Sequence, residues 1–375
     1  MSRVLVLNCG SSSVKYRLYD GDEVLAKGTV ERVGEPGGGP ADHETAVRGI
    51  LDRLGPDGLA GLTAVGHRVV HGGRRFTEPV LVDDAVFAAI GELVPLAPLH
   101  NPANLAGIRV AREALPGVPQ VAVFDTAFHH TLPEAAATYA IDRDTAQRHD
   151  IRRYGFHGTS HAYVSRRTAE LLGRPYDELN TITLHLGNGA SACAVQGGRS
   201  VATSMGMSPL EGLVMGTRSG DLDPTIVFHL RREAGMGVDE IDDLLNHRSG
   251  LLGLAGVNDM REVLARRAAG DPAAALAFDV YTRRITGYVG AYYALLGRVD
   301  AVTFTAGVGE HAAPVRAAAL AGLERLGIAV DPARNDGTGD RVISPAGAEV
   351  AVCVVGTDEE REIARAARAV AEAAG

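Results

Sequence analysis

One pattern occurs twice in this chain, and it restricts the folds open to it. Residues 4–8 are an apolar run ending at Asn8. A turn of small residues follows (Gly10, Ser11, Ser12, Ser13), and then Val14, Tyr16 and Leu18 alternate with Lys15, Arg17 and Tyr19. A continuous apolar run followed by a period-two run reads as a buried strand, a hairpin turn and a half-exposed strand. A further strand over 24–30 completes a meander. At 181–202 the pattern returns: strand, the turn Gly187, Asn188, Gly189, strand, a second glycine turn, strand. Two meanders, each opening half of the chain and each followed by helical segments, predict a duplicated α/β architecture. The two similar domains are expected to face each other across a cleft that holds their glycine turns, since ligands favour such domain interfaces.

The segments between follow from punctuation. Residues 44–54 have helical spacing and are expected to stop at Gly55-Pro56. Strands are expected at 63–70 and at 120–124, the latter ending at Asp125. Helices are expected at 83–93 and 160–172. Asn101-Pro102 reads as a helix start with Asn as the cap and Pro in the first turn. Asp223-Pro224 and Asp271-Pro272 repeat that signal. The second opens a long apolar helix to Leu296, which reads equally as subunit interface or core. A strand at 301–305 runs into Ala306–Glu310, a helix follows over 314–326, and 331–340 is a loop. A strand at 350–355 and a helix at 358–374 finish the chain.

Hydrophobic residues are 46% and charged residues 22% of the 375, ordinary globular values. The net charge of −9 and the lack of a long basic run argue against nucleic acid or an anionic membrane as partner. No apolar stretch approaches the ~20 residues that span a bilayer. Cys9, Cys193 and Cys353 are far apart, without a C-x-x-C, so neither a zinc site nor a disulfide framework is suggested and a cytoplasmic setting is the simplest inference.

Several clusters carry chemistry. The first turn offers an amide, hydroxyls, a lysine and a glycine that admits close backbone approach. Such a nest suits phosphate oxygens, though it also reads as a polar turn with a solvated lysine. It is not a Walker loop, because a strand and not a helix follows. Residues 205–224 have too many glycines for a helix and too little alternation for a strand, so they form a long loop of the kind that is usually functional. Arg218 lies at its heart, suited to a carboxylate or phosphoryl group, or else tied down by Asp221. Arg68, in Gly66-His-Arg-Val-Val-His-Gly-Gly73, is a second anion clamp or a surface ion pair. Asp125 sits where α/β sheets bind ligands, at a strand's C-terminal end. His157 and His161 are spaced i, i+4, but Gly158 stands where a zinc motif needs glutamate. His157 reads better as a donor to a charged ligand. The turn Ala306-Gly-Val-Gly-Glu310 lies between strand and helix, where free N–H groups meet anions.

Together these segments resemble the acetate kinase family of the acetate and sugar kinase/heat-shock 70/actin superfamily. The matching motifs are Asn8-x-Gly-Ser-Ser-Ser-x-Lys15, Gly66–Gly73, Phe124-Asp-Thr-Ala-Phe-His129, Tyr154-Gly-Phe-His-Gly-Thr-Ser-His161, His185-Leu-Gly-Asn-Gly189, Pro209–Gly220 and Phe304–Glu310. They follow in family order over nearly the whole chain. The resemblance implies two ribonuclease-H-like (actin-like ATPase) domains with a central cleft. These would be an N-terminal domain over 1–150, joined by the C-terminal helix 359–375, and a nucleotide-binding domain over 151–358. It implies a homodimer that phosphorylates acetate reversibly with ATP and Mg²⁺, with Mn²⁺ as an alternative metal.

By the same resemblance Asn8 and Glu359 hold the metal, and Lys15, Ser11 and Ser13 hold phosphates. Arg68 binds the carboxylate, and Asp125, His157 and Arg218 are catalytic. Val70, Leu99, Phe156 and Pro209 form the acyl pocket, with His100 nearby. His185, Leu186, Gly187, Asn188, Gly189, Asp259, Met260, Arg261, Gly307, Val308, Gly309, Glu310 and His311 line the nucleotide site. Met260, His311 and Asp358 depart from the usual family residues, and Asp358 adds a charge beside Glu359. A carboxylate nucleophile is already ionised at neutral pH and needs no general base, so Asp125 is expected to orient the metal or the cationic donors. Propionate as the acceptor, and a non-catalytic nucleotide-binding protein of the same superfamily, are the alternatives. The acyl pocket and Arg218 count against the second.

Overall fold

The computed structural model describes residues 2–10, 12–35, 38–98 and 100–374. Ser11 and Leu99, expected in the phosphate turn and the acyl pocket, lie outside the described residues. The chain divides into two compact units. The first comprises Met1–His130, Gly158–Ser160 and Asp358–Gly375, and the second Thr131–His157 and His161–Thr357.

In the first unit six strands form one sheet: β1 (Arg3–Cys9), β2 (Ser13–Asp20), β3 (Glu23–Glu31), β4 (Leu62–Val69), β5 (Val80–Leu81) and β6 (Gln120–Phe124). Their order is β3-β2-β1-β4-β6-β5. In the second unit β7 (Asn180–Leu186), β8 (Ala190–Gln196), β9 (Arg199–Thr203), β10 (Ala301–Thr305), β11 (Arg341–Val342) and β12 (Ala351–Val354) form another. Its order, read from the far edge, is β9-β8-β7-β10-β12-β11. Position by position the two orders are the same. In each, an antiparallel meander joins two parallel strands, and a two-residue antiparallel edge strand closes the sheet. The fold is α/β and duplicated, as the repeated meander predicted. β1, β6, β7 and β10 are buried along almost their whole length; β1 and β6 read as nearly continuous apolar runs, while β7 and β10 bury threonines as well.

In the first unit helices cover both faces of the sheet. Val47, Ile50 and Leu51 of the helix His43–Leu59, with Val110 and Ala111 of the helix Asn101–Ala114, pack on Leu5, Leu7 and Val14. On the other face Ile363, Ala364, Ala366 and Ala367 of the final helix, Glu359–Ala374, pack on Val4, Val6, Ala64, Val121 and Val123. The small alanines let that helix come close. A Cβ on Gly66 would stand 2.8 Å from Ile363 Cγ2, so β4 needs glycine there. The parallel strands β1, β4 and β6 therefore bring Asn8, Arg68 and Asp125 to one C-terminal edge.

The break expected at Gly55-Pro56 is present: Gly55 leaves helical geometry (φ 63°, ψ 178°), and Pro56 opens a second short helical stretch to Leu59. Three local expectations need correction. Asn101 does not cap its helix. It is fully buried, accepts from the His71 N–H at 3.2 Å and donates to the His71 carbonyl at 3.2 Å. The helix expected over 314–326 spans Ala313–Leu320, followed by a single 3₁₀ turn, while the 331–340 loop contains a short helix capped by Asp331.

Candidate active site

Charge is concentrated at the strand edge of the first unit. Asp125 is 1% exposed, and Arg68 grips it from two sides: Nε donates to both carboxylate oxygens at 3.0 Å and Nη2 to Oδ2 at 2.5 Å. Arg68 Nη1 also donates to Asn8 Oδ1 at 3.3 Å, and Glu359 Oε2 lies 4.0 Å from Arg68 Nε. The Thr159 hydroxyl donates to Asp125 Oδ1 at 3.4 Å, and the Gly158 N–H to the Asp125 carbonyl at 2.9 Å. Burial alone would lower the Arg68 pKa, but Asp125 and Glu359 more than offset that and keep it charged. For Glu359 the balance runs the other way. Burial first, then Asp125 and Glu360, raises its carboxyl above the usual range against the pull of Arg68 and Lys15.

This corner therefore holds more negative charge than its own cations settle. Its donors are hard oxygens, two carboxylates and an amide, which suit a small divalent cation. Among the described residues no three His, Cys, Asp or Glu side chains form a metal-holding group. Lys15 stands directly opposite Asn8 in the β1–β2 register. Asp358 does not join this group. Its carboxylate takes Arg17 at 2.7 Å and caps the final helix through the Arg361 N–H, so its extra charge is answered locally.

In the second unit the long loop over 204–224 has no helix or strand of its own. It is pinned from outside: Arg284 donates to the carbonyls of Gly212 (2.8 Å) and Asp221 (3.1 Å). The Tyr288 hydroxyl donates to Asp221 Oδ2 at 2.8 Å, and Arg153 pairs with Glu211. Asp221 is thus engaged elsewhere, and the reading in which it ties down Arg218 is wrong. Arg218 Nη1 donates to the Pro209 carbonyl at 2.7 Å, and among the described residues no carboxylate pairs with it. Burial lowers its pKa. A guanidinium nonetheless remains charged.

His157 sits at the start of the helix Gly158–Leu172 in a left-handed conformation (φ 57°, ψ 26°). Its ring stacks on His185 with centroids 4.2 Å apart, and its Nδ1 lies 2.8 Å from Ser191 Oγ. The Arg218 guanidinium and the His157 imidazole converge on one glycine. A Cβ on Gly189 would lie 3.3 Å from Arg218 Nη2 and 3.5 Å from His157 Nε2. A side chain at Gly189 would crowd both groups.

Beside that turn lies a cavity of about 510 Å³, lined by Gly187, Asn188, Asp259, Met260, Arg261, Gly307, Val308 and His311, with Leu251, Asn258, Leu264, Ala312 and Pro314. Its size suits a drug-sized ligand. Eight residues expected at the nucleotide site meet here. His185, Leu186, Gly189, Gly309 and Glu310 do not line it. Leu186 is buried in β7, and Glu310 accepts the Thr357 N–H at 3.1 Å. Arg316, only 1% exposed, donates to the carbonyls of Gly309 and Glu310 and to Asn335, fixing the end of the Ala306–His311 helix. Of the acyl-pocket residues, buried Val70 and half-exposed His100 belong to the first unit, and Phe156 and Pro209 to the second.

Sequence reasoning missed several supports. Buried Asn104 accepts from the Val70 N–H and donates to the Cys9 carbonyl, tying β1 to β4. Its i, i+3 spacing from Asn101 on a core-facing helix was the available signal. Ser191 was missed too, and the hairpin register that sets it opposite His185 could have found it.

A sequence profile of the acetokinase family matches residues 3–365. An acetate kinase of Streptomyces avermitilis is 61% identical over 389 residues, covering 97% of this chain and 96% of the relative. The crystal structure of Porphyromonas gingivalis acetate kinase superposes with a TM-score of 0.93 at 44% identity, covering 99% of this chain and 100% of the other. That of a propionate kinase from Francisella tularensis superposes equally well, with a TM-score of 0.93 at 40% identity and the same coverage. With its duplicated sheets and its arginine- and histidine-flanked glycine turn, the chain belongs to the acetokinase family.

Proposed function

We propose that the chain transfers the γ-phosphoryl group of ATP to acetate, giving acetyl phosphate and ADP, and that it runs the reaction in both directions. The observation that carries this reading is the convergence of Arg218 and His157 on Gly189, next to the residues lining the 510 Å³ cavity. Phosphoryl transfer asks for alignment and neutralisation more than for covalent help. An arginine that pairs with no carboxylate among the described residues, beside an imidazole, supplies both where charge spreads over a transferring phosphoryl group.

Gly187, Asn188, Asp259–Arg261, Gly307, Val308 and His311 bind the nucleotide, helped by His185, Leu186, Gly189, Gly309 and Glu310. Lys15, Ser11 and Ser13 meet phosphates. Arg68 binds the acetate carboxylate, and Asp125 fixes the guanidinium in place. By the family resemblance Val70, Leu99, His100, Phe156 and Pro209 are the candidate contacts for the methyl group. Asn8 and Glu359 hold Mg²⁺, which when bound offsets phosphate charge. The acetate oxygen forms its bond to the γ-phosphorus as the bond to the β–γ bridging oxygen breaks and ADP departs. No proton has to be removed from the nucleophile.

The 61%-identical relative named acetate kinase supports acetate over propionate as the acceptor. The test is trapping of acyl phosphate by hydroxylamine across acids of rising chain length. Hydroxamate should form only with ATP and acid together, and fastest with acetate. No hydroxamate from any acid would overturn the proposal. We infer a cytoplasmic homodimer. Leu276 and Leu295, 57% and 68% exposed on the long helix Pro272–Leu296, are consistent with an apolar contact between copies. Among the described residues no helix is long and apolar enough to cross a membrane. Sedimentation equilibrium should give twice the 39.2 kDa chain mass.

A further inference from the structure

Ser191 lies wholly buried on β8, and its hydroxyl oxygen sits between two imidazoles, 2.8 Å from His157 Nδ1 and 2.8 Å from His161 Nε2. The other nitrogen of His161 lies 2.7 Å from Thr183 Oγ1. His161 and Thr183 are also fully buried. The side chains form a continuous line, His157–Ser191–His161–Thr183, and His157 is the member beside Gly189 and Arg218. We propose that Ser191, braced by His161, is a positioning residue for His157. It holds the ring with Nε2 toward the Gly189 turn and confines the ring to a single tautomer. The proposal rests on the reading of His157 as a donor to the transferring phosphoryl group.

The physical reason lies in proton counting. A hydroxyl has one proton to give. If Ser191 donates to His161, it accepts from His157 Nδ1–H. If it accepts from His161, it donates to His157 Nδ1. Only the second direction leaves the His157 proton on Nε2, the nitrogen toward Gly189, where a donor needs it, and the proposal takes that direction. The two nitrogens of an imidazole are not interchangeable, and the partner of one decides what the other can do. Backbone and packing serve the same end. The left-handed conformation of His157 aims its ring off the start of a helix, and the stack on His185 fixes the ring plane. Stacking alone leaves the two ring orientations related by a flip, and Ser191 distinguishes them.

A double-mutant cycle on the full chain tests the proposal, using Ser191→Ala, His157→Ala and the two combined. Ser191→Ala should lower kcat about 10- to 100-fold, the scale of a misplaced catalytic group, while KM for acetate and for ATP stays within about twofold. In the His157→Ala background the same change should have no further effect, because coupled residues are non-additive. Imidazole ¹⁵N spectra should show His157 as one tautomer in the wild type and as an average in Ser191→Ala. Near-normal kcat for Ser191→Ala, with His157→Ala crippled, would overturn the positioning role and leave the functional reading intact. Near-normal kcat for His157→Ala would overturn that reading itself. Equal, additive losses would mark Ser191 as structural only. If Ser191→Ala does not fold, Ser191→Cys keeps the volume with a weaker donor, and wild-type kcat with averaged tautomers there would overturn the proposal.

Discussion

Arg68, in the first unit, holds Asp125 through both carboxylate oxygens and has Glu359 at 4.0 Å. Arg218, in the second, donates to a single carbonyl and has no carboxylate partner among the described residues. The same side chain is thus kept in two electrostatic states. Arg68 is already paired and has little unspent field. Arg218 has no paired anion among the described residues, the state in which a guanidinium can stabilise charge that develops beside it. The contrast teaches that the number of arginines near a site says less than the counter-ions already present.

The sharpest way to break this contrast is Arg218→Met. Turnover should fall about 10³-fold or more, in the range of a lost arginine on a transferring phosphoryl group. Unfolding free energy should change by less than about 1 kcal/mol, since no ion pair is lost. Steady-state kinetics and urea unfolding of one preparation check both halves. Arg68→Met should do the reverse to stability. It strands the buried Asp125 carboxylate and should cost about 3–5 kcal/mol. A small loss in urea unfolding would show that Arg68 is not the settled partner described here.

Glu359→Gln removes a carboxylate that burial holds above its ordinary range. The Mg²⁺ concentration for half-maximal activity should rise about tenfold, as expected for a lost hard-oxygen ligand. An unchanged Mg²⁺ titration would remove Glu359 from the metal site.

The smallest effect belongs to His67, next to Arg68 in β4. Burial pulls its pKa down to about 4, despite the hydrogen bond to Gln120. The unfolded chain therefore takes up a proton at a pH where the folded chain does not. Stability is untouched above the ordinary pKa of about 6.5, and falls as pH drops from there toward 4. The loss should be about 1 kcal/mol near pH 6. His67→Gln should flatten this limb in pH-dependent thermal unfolding, while Arg68→Met should lower stability across it.

The sheets were largely legible because apolar runs and alternation are local. β1 to β3 and β7 to β9 were visible in 4–30 and 181–202. The edge strands β5 and β11 were not, because two residues become a strand only through a partner. Asn101 misled because its helix start looks the same whether the amide caps the helix or reaches into the sheet. The Gly187 and Gly307 turns of the cavity were legible as glycine turns at strand ends, whereas Leu251, Leu264 and Pro314 of the same cavity carry no chemical mark. For Arg218 the sequence left two readings, an anion clamp or a tie to Asp221 three residues away, and only the placement of Tyr288 and Arg284 shows Asp221 engaged elsewhere.

The final helix has a consequence for how the molecule is made. The first unit begins with residue 3, yet one face of its sheet stays bare until Ile363 and Ala367 have been synthesised. Glu359 arrives on the same helix, so the acidic corner gains its second carboxylate only as that face is covered. On a ribosome, the earliest part of the protein to start is the last to be finished. A chain cut short before that helix would carry an exposed apolar sheet and lack the Glu359 carboxylate.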